Sequence, residues 1–99
     1  MNPVLQEAIE MLTPKVSGIL EGRVRLIIKG EGALLLTREG ASVDADTDAA
    51  VDVTMTASEA VFRGIFSGDT NPVVAAMTGR LKLNGSMARA LKVGEIMTS

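Results

Sequence analysis

The N-terminal segment places apolar side chains at the spacing of a helix. Asn2 followed by Pro3 is a typical helix start, because an asparagine side chain caps free backbone N–H groups and proline fits the first turn. Apolar residues then recur every three or four positions, at Val4, Leu5, Ala8, Ile9 and Leu12. We expect this helix to end at Thr13-Pro14, because proline disfavours helical backbone in the residue before it.

Between Gly22 and Thr56 the repeat shortens to two residues, which is typical of strands with one buried face. Glycine-containing turns separate most of these stretches, and the pattern predicts four strands, over residues 23–29, 33–38, 41–46 and 51–56. The first three strands are close enough in sequence to pair as an antiparallel meander.

The helical repeat returns after residue 57. A predicted helix begins at Ser58 as its N-cap and ends at Ser67-Gly68. Asn71-Pro72 begins a second, shorter helix. Residues 80–84 alternate again as a strand, and residues 87–97 form the last predicted helix.

This order of elements predicts an α+β fold, because helices do not intervene between most of the strands. We expect a mainly antiparallel sheet that is covered on one face by helices. A chain of 99 residues is too short to bury two cores, so residues 1–99 are predicted to form a single domain.

Composition excludes several kinds of chemistry. The chain has neither Cys nor His, so thiolate nucleophiles, imidazole bases and the usual zinc sites are excluded. The acidic positions 44, 46, 48 and 52 lack the ligand spacing of a calcium loop and are expected to form a solvated turn. We therefore expect no metal and no cofactor. Catalysis is not excluded by composition, but its most common groups are missing. The net charge of −2 and the near absence of aromatic residues argue against nucleic-acid binding.

Apolar stripes run along the last three predicted helices. Their largest members are Phe62, Ile65, Phe66, Met77, Met87 and Leu91. Two interpretations remain open: ordinary core, or the wall of a ligand cavity between helices and sheet. Methionine side chains favour the second, because they adapt to several packing partners, but the 46% hydrophobic composition does not decide.

Basic residues alternate on two of the predicted strands, at Arg23, Arg25, Lys29, Arg80 and Lys82. All five are expected to face solvent. They form either a solvated sheet face or a patch that makes transient contact with an anionic membrane surface.

Residues 51–92 carry a series of short motifs in a specific order. The motifs are Val51-Asp52-Val53-Thr54-Met55-Thr56, Glu59, Phe62, Ser67-Gly68, Asn71-Pro72, Met77-Thr78-Gly79-Arg80-Leu81-Lys82-Leu83-Asn84-Gly85-Ser86-Met87 and Ala90-Leu91. The most specific piece is the 79–85 strand, and the upstream 22–30 strand is similar. In order and spacing, these motifs resemble the sterol carrier protein type 2 family, and the likeness covers about residues 3–97.

The resemblance implies a five-stranded sheet with helices on one face and an apolar tunnel between them. It places the 51–56 strand between the 23–29 and 80–84 strands, with Asp52 on the same solvent face as the basic residues, where it would neutralise part of their charge. It also implies a non-catalytic protein that binds fatty acids, acyl-CoA, sterols or isoprenoid-type lipids. The tunnel wall that it implies comprises Phe62, Ile65, Phe66, Met77, Met87 and Leu91.

These features are consistent with three classes of function. A lipid carrier is the leading hypothesis. The alternative is a non-catalytic interaction or accessory module, for example one that presents quinone-type lipids to partner enzymes, with Ile27 and Leu35 on the outer sheet face. An enzyme using carboxylates and lysine is the third.

The N-terminus shows no secretory signal and the C-terminus no peroxisomal address, so we expect a cytoplasmic location. The sequence names neither the lipid nor the oligomeric state.

Overall fold

The computed structural model describes residues 2–46 and 48–98, and within them five strands carry four helices on one face. The chain order is α1 (Pro3–Val16), β1 (Val24–Ile28), β2 (Gly32–Thr37), β3 (Gly40–Val43), β4 (Val53–Ala57), α2 (Glu59–Ser67), α3 (Pro72–Met77), β5 (Lys82–Gly85) and α4 (Met87–Thr98). None of these helices is long and apolar enough to cross a membrane.

The strands lie in the order β3-β2-β1-β4-β5. Three pairs are antiparallel, and the central pair β1–β4 is parallel, with Leu26 opposite Met55. The α+β fold and the mainly antiparallel five-stranded sheet are thus confirmed. The predicted meander β1-β2-β3 is present, and β4 returns to the free side of β1, which leaves β5 at the sheet edge.

The core lies between one face of the sheet and the helices. Alternate residues of β1, β2 and β4 point into it, because successive strand side chains face opposite sides. The helices α1, α2 and α4 supply the other half. Its largest fully buried members are Leu12, Val16, Leu20, Val24, Leu26, Ile28, Leu34, Leu36, Met55, Phe62, Ile65 and Met97.

Helix α1 continues through Pro14 to Val16, so the predicted end at Thr13-Pro14 was wrong. Proline removes one backbone donor from a helix. Here Pro14 lies in the last turn, and both Leu12 and Val16 beside it are fully buried. The Ser17 N–H still donates to the Thr13 carbonyl oxygen at 3.0 Å. Burial on either side of the proline outweighs the single lost hydrogen bond.

Arg25 is buried, so its predicted exposure on a basic sheet face was wrong. Its Nε lies 2.5 Å from Asp44 Oδ2, and its Nη2 donates to the carbonyl oxygens of Asp46 and Ala49 at 3.1 and 2.8 Å. The Asp44 side chain is only 4% exposed. The acidic segment is therefore not a purely solvated turn, because its first carboxylate closes over the outer face of β1.

Asp52 neutralises a different neighbour from the one predicted. Its carboxylate accepts the backbone N–H of Arg23 at 2.8 Å and lies 3.9 Å from the Nε of Arg89 on α4. The placement of β4 between β1 and β5 is as predicted. Because Arg25 is buried and paired with Asp44, the sheet face carries a weaker basic patch than the sequence pattern indicates.

Candidate functional site

Helix α2 begins and ends where the sequence predicts, and it places three large side chains in the core. The Ser58 side chain accepts the Val61 N–H, and Gly68 ends the helix with φ +87°, a conformation that favours glycine. Phe62, Ile65 and Phe66 are buried on its inner face. The rings of Phe62 and Phe66 stack with centroids 5.8 Å apart.

Helices α3 and α4 meet closely at the β5 edge of the sheet. The Asn71 side-chain oxygen accepts the N–H groups of Val73 and Val74 at 2.8 and 3.4 Å, which fixes the start of α3. A Cβ at Gly94 of α4 would lie 3.2 Å from the Pro72 Cγ. Glycine at this position therefore lets α4 pack directly on the first turn of α3.

A pocket of about 220 Å³ opens between these two helices and the sheet. Its floor is buried and apolar, formed by Met55 of β4, by Leu81 and by Ala90 of α4. Val73, Leu83 and Leu91 contribute from α3, β5 and α4, while Asn71 and Glu95 are its polar residues. The arrangement suits an apolar ligand that enters from solvent at the sheet edge.

Only one of the six predicted wall residues lines this pocket. Leu91 lines this pocket and is 54% exposed, whereas Phe62, Ile65 and Phe66 are buried core residues on α2. Met77 and Met87 are 81% and 58% exposed and do not line this pocket. A shared cavity wall for all six therefore stays a prediction.

Several pocket residues were absent from the sequence prediction, among them Met55, Pro72, Val73 and Leu83. A signal for two of them was present in the sequence. Leu81 and Leu83 alternate in the predicted 80–84 strand, and the resemblance placed the 51–56 strand next to it, so Met55 and Leu83 could have been predicted as pocket residues. Pro72 and Val73 carried no such signal, since they act here through the approach of α3 to α4.

A second, almost filled groove separates α1 from α2, with a volume of about 10 Å³. Arg63 closes it from outside. Its Nη1 and Nη2 donate to the two carboxylate oxygens of Glu7 at 2.8 and 2.9 Å, and its Nε donates to Glu59 at 2.5 Å. The hydrogen bond from Arg63, aided by its charge, lowers the pKa of Glu7, and the same contact raises the pKa of Arg63.

The Glu7–Arg63 contact predicts a stability difference that depends on pH. Because the folded pKa of Glu7 lies below its ordinary value of 4.5, its contribution is present above that value and is lost as pH falls through the lowered pKa. Glu7→Gln should lower the urea midpoint slightly near neutral pH, since both side chains are about half exposed. The difference from wild type should shrink as the pH falls below 4.5 and should disappear once Glu7 is protonated in the folded state. A difference that stays constant with pH would contradict this account.

In the described part of the chain, no group of three acidic, His or Cys side chains is placed to hold a metal ion. Buried side-chain nitrogen and oxygen atoms there all have hydrogen-bond partners. What the pocket offers is apolar surface and space.

The chain matches the SCP-2 sterol transfer family over residues 5–98. It belongs to this family. The resemblance predicted from the sequence is thereby confirmed, and the sheet-and-helix architecture around the pocket is that of the sterol-transfer fold.

The chain is also similar to a short part of a longer protein and to solved structures of the same fold. Hydroxysteroid dehydrogenase-like protein 2 of Bos taurus is 44% identical over 46 residues, which are 46% of this chain and 11% of that protein. The chain thus spans about a tenth of the length of this curated relative. The sterol carrier protein domain 2 of Helicoverpa armigera has a TM-score of 0.67 at 23% identity, over 95% of this chain and 80% of that one.

A palmitate-bound structure has the same fold. Sterol carrier protein 2 of Aedes aegypti, solved in complex with that C16 fatty acid, has a TM-score of 0.77 at 13% identity, over 98% of this chain and 96% of that one. At this level of identity the likeness shows the fold.

Proposed function

We propose that residues 1–99 act as one non-catalytic lipid-carrier domain that holds an apolar chain in the pocket between α3, α4 and the β5 edge. The observation that carries the proposal is this open, mostly apolar pocket in a member of the sterol-transfer family. The palmitate-bound neighbour supports a long-chain ligand. A chain with neither Cys nor His lacks the most common catalytic groups, which favours a carrier. A cytoplasmic location remains a prediction.

The size of the pocket bears on how a lipid would be held. About 220 Å³ lies below the roughly 300 Å³ at which small-molecule pockets usually begin. Part of a long chain fits, and the remainder would lie across Val73 and Leu91 at the mouth. Each buried methylene contributes about 0.8 kcal/mol, and ordering the ligand offsets several kcal/mol. The length of the alkyl chain of the lipid, rather than hydrogen bonding, would then determine which lipids bind.

The predicted wall residues divide into three roles in this proposal. Leu91 contacts the lipid directly. Phe62, Ile65 and Phe66 form the packed layer of α2 that supports the sheet and helices. Met77 and Met87 are exposed and do not line the pocket.

An accessory module that presents a lipid to a partner enzyme is the second candidate. It is supported by the match to a short part of a much longer dehydrogenase-like protein. Both candidates use the same pocket. They differ in what receives the lipid, which is a membrane for the carrier and a partner enzyme for the accessory module. Unassisted transfer of a bound lipid between vesicles would favour the carrier.

Saturable binding of a fluorescent fatty acid, displaced by an unlabelled long-chain lipid, is the result expected for the pocket. Leu91→Glu should weaken this binding by about tenfold or more, because a carboxylate at the wall must be desolvated by the alkyl chain. The matched control is Ala88→Glu, which adds the same charge at an exposed position of α4 outside the pocket lining. Isothermal calorimetry with each variant gives the affinities.

The outcome that contradicts the pocket assignment is equal affinity for both variants. Absence of any saturable binding at tens of micromolar by a folded wild-type chain, on the order of the weakest useful affinity, would contradict the carrier itself. Native mass spectrometry of the purified chain would then show whether a lipid was already bound.

A further inference from the structure

The two edges of the sheet differ in how far their backbone is covered. At the β3 edge the Ala41 N–H donates to Thr13 Oγ1 of α1 at 3.3 Å, and a Cβ at Gly40 would lie 3.2 Å from Thr13 Cγ2. Helix α1 therefore lies against that edge. Strand β5 forms the other edge, where Leu83 is half-buried and the remaining residues of the strand are exposed. An edge strand of this kind presents N–H and C=O groups to another chain.

The hydrogen-bond pattern of β5 directs the backbone of Leu83 away from the sheet. Hydrogen-bonded and non-hydrogen-bonded pairs alternate along an antiparallel ladder. Just beyond the strand, the Ser86 N–H donates to the Asp52 carbonyl oxygen at 3.0 Å. Every second residue before Ser86 therefore bonds to β4, which includes Asn84 and Lys82. The N–H and C=O of Leu83, between them, face the open side of the edge.

The side chains of β5 divide between the two faces of the sheet. Leu83 lies on the helix side, where it lines the pocket. Lys82 and Asn84 lie on the outer face, because successive strand residues alternate. Their partners on β4, Thr56 and Thr54, are uncharged. The edge is thus apolar on its inner side and positively charged on its outer side.

We propose that β5 accepts an extended acidic segment of a partner protein as a sixth strand. In antiparallel pairing, one residue of the partner exchanges both of its backbone hydrogen bonds with Leu83. Its side chain lies on the same face as Leu83, so an apolar group there covers the edge of the pocket. The next residue of the partner lies opposite Lys82, where a carboxylate forms a cross-strand pair of opposite charge. The segment therefore alternates acidic and apolar residues.

The charge of this edge decides between a partner protein and a second copy of the chain. Pairing two β5 strands about a two-fold axis would place both Lys82 side chains on one face, together with the exposed Arg80 that precedes each strand. Lysine on a short edge strand disfavours such pairing, whereas an acidic segment is attracted by it. The proposal goes beyond the carrier function. Because its test contains no lipid, failure of fatty-acid binding would not affect it.

The test uses a blocked heptapeptide in which glutamate alternates with valine. Isothermal calorimetry should show saturable binding of this peptide to the whole chain, and none of a peptide with lysine in place of glutamate. Methylating the valine nitrogens should weaken binding by about tenfold or more, because the valine N–H groups face β5. Methylating the glutamate nitrogens is the matched control and should have little effect, since those N–H groups face away from the sheet.

Lys82→Glu should weaken peptide binding by about tenfold, because repulsion replaces attraction across the strand pair. Arg38→Glu is the matched control, since it reverses the same charge at an exposed position in the turn between β2 and β3, near the opposite edge. It should change the affinity by less than about twofold. Amide hydrogen exchange at Leu83 should slow by about tenfold or more in the complex, whereas exchange at Val43 of β3 should not change.

Four results would overturn the proposal. They are equal weakening by Lys82→Glu and Arg38→Glu, equal binding of the glutamate and lysine peptides, equal effects of methylation at valine and at glutamate, and unchanged exchange at Leu83 when the peptide is bound. A dimer of the wild-type chain that protects the Leu83 amide without peptide would assign the edge to a second copy, and the proposal would then be wrong as well.

Discussion

Replacing Phe62 by alanine is expected to lower the free energy of unfolding by about 3–5 kcal/mol. The side chain is only 1% exposed, and its ring stacks on that of Phe66 between α2 and the sheet. The chain has just these two aromatic residues, so no other ring is available to fill the space. Domains of this size are stable by about 5–15 kcal/mol. The substitution should therefore remove a large share of the total.

Urea unfolding followed by circular dichroism measures the effect. Met77→Ala is the control, because that side chain is 81% exposed and its loss should cost no more than about 0.5 kcal/mol. A cost below about 1 kcal/mol for Phe62→Ala would place the ring beside an expandable cavity rather than in a packed core. Unchanged lipid affinity in a destabilised variant would remove Phe62 from the predicted wall.

Local sequence signals predicted most of the elements. Ser58, Gly68 and Asn71 act as the caps that the sequence indicates, because capping depends on a few neighbouring residues. The two-residue repeat located all five strands to within a few positions, since alternation reports a half-buried strand directly. These features need no knowledge of what packs on them.

The errors arose where distant parts of the chain decide the outcome. Pro14 was expected to end α1, but burial of Leu12 and Val16 holds the last turn in place. Arg25 alternates with apolar residues as a solvated side chain would. Nothing within its own strand indicates that Asp44, Asp46 and Ala49 close over it.

The candidate site shows the same limit. A helical repeat shows that residues share a face, but it does not show whether another element covers that face. The repeat on α2 faces the core, whereas α3 has six residues and leaves Val73, Val74 and Met77 exposed. The pocket arises from the meeting of α3, α4 and β5, which requires the three-dimensional arrangement. Leu91 entered the predicted wall because it belongs to the apolar repeat of α4, and the same residue lines the pocket.

Asp44→Ala is the second substitution for which we expect a large effect, a loss of about 3–5 kcal/mol in the free energy of unfolding. The side chains of Arg25 and Asp44 are 7% and 4% exposed, so removing the carboxylate leaves a buried guanidinium without its counter-charge. Two carbonyl oxygens, of Asp46 and Ala49, remain as partners of Arg25 but carry no full charge. Asp48→Ala on the same loop is the matched control, since Asp48 is exposed and should change stability by at most about 0.5 kcal/mol.

The double variant Arg25→Met with Asp44→Leu separates the value of the ion pair from the cost of breaking it. Replacing both partners of a buried pair by apolar side chains is often close to neutral. The double variant should therefore unfold at a higher urea concentration than Asp44→Ala, although the carbonyl groups of Asp46 and Ala49 must then turn to water. Because these residues lie near the surface, water can reach them, and we expect most of the loss to be recovered. If the double variant is as unstable as the single one, the outer face of β1 depends on the backbone contacts of Arg25 rather than on its charge pair with Asp44.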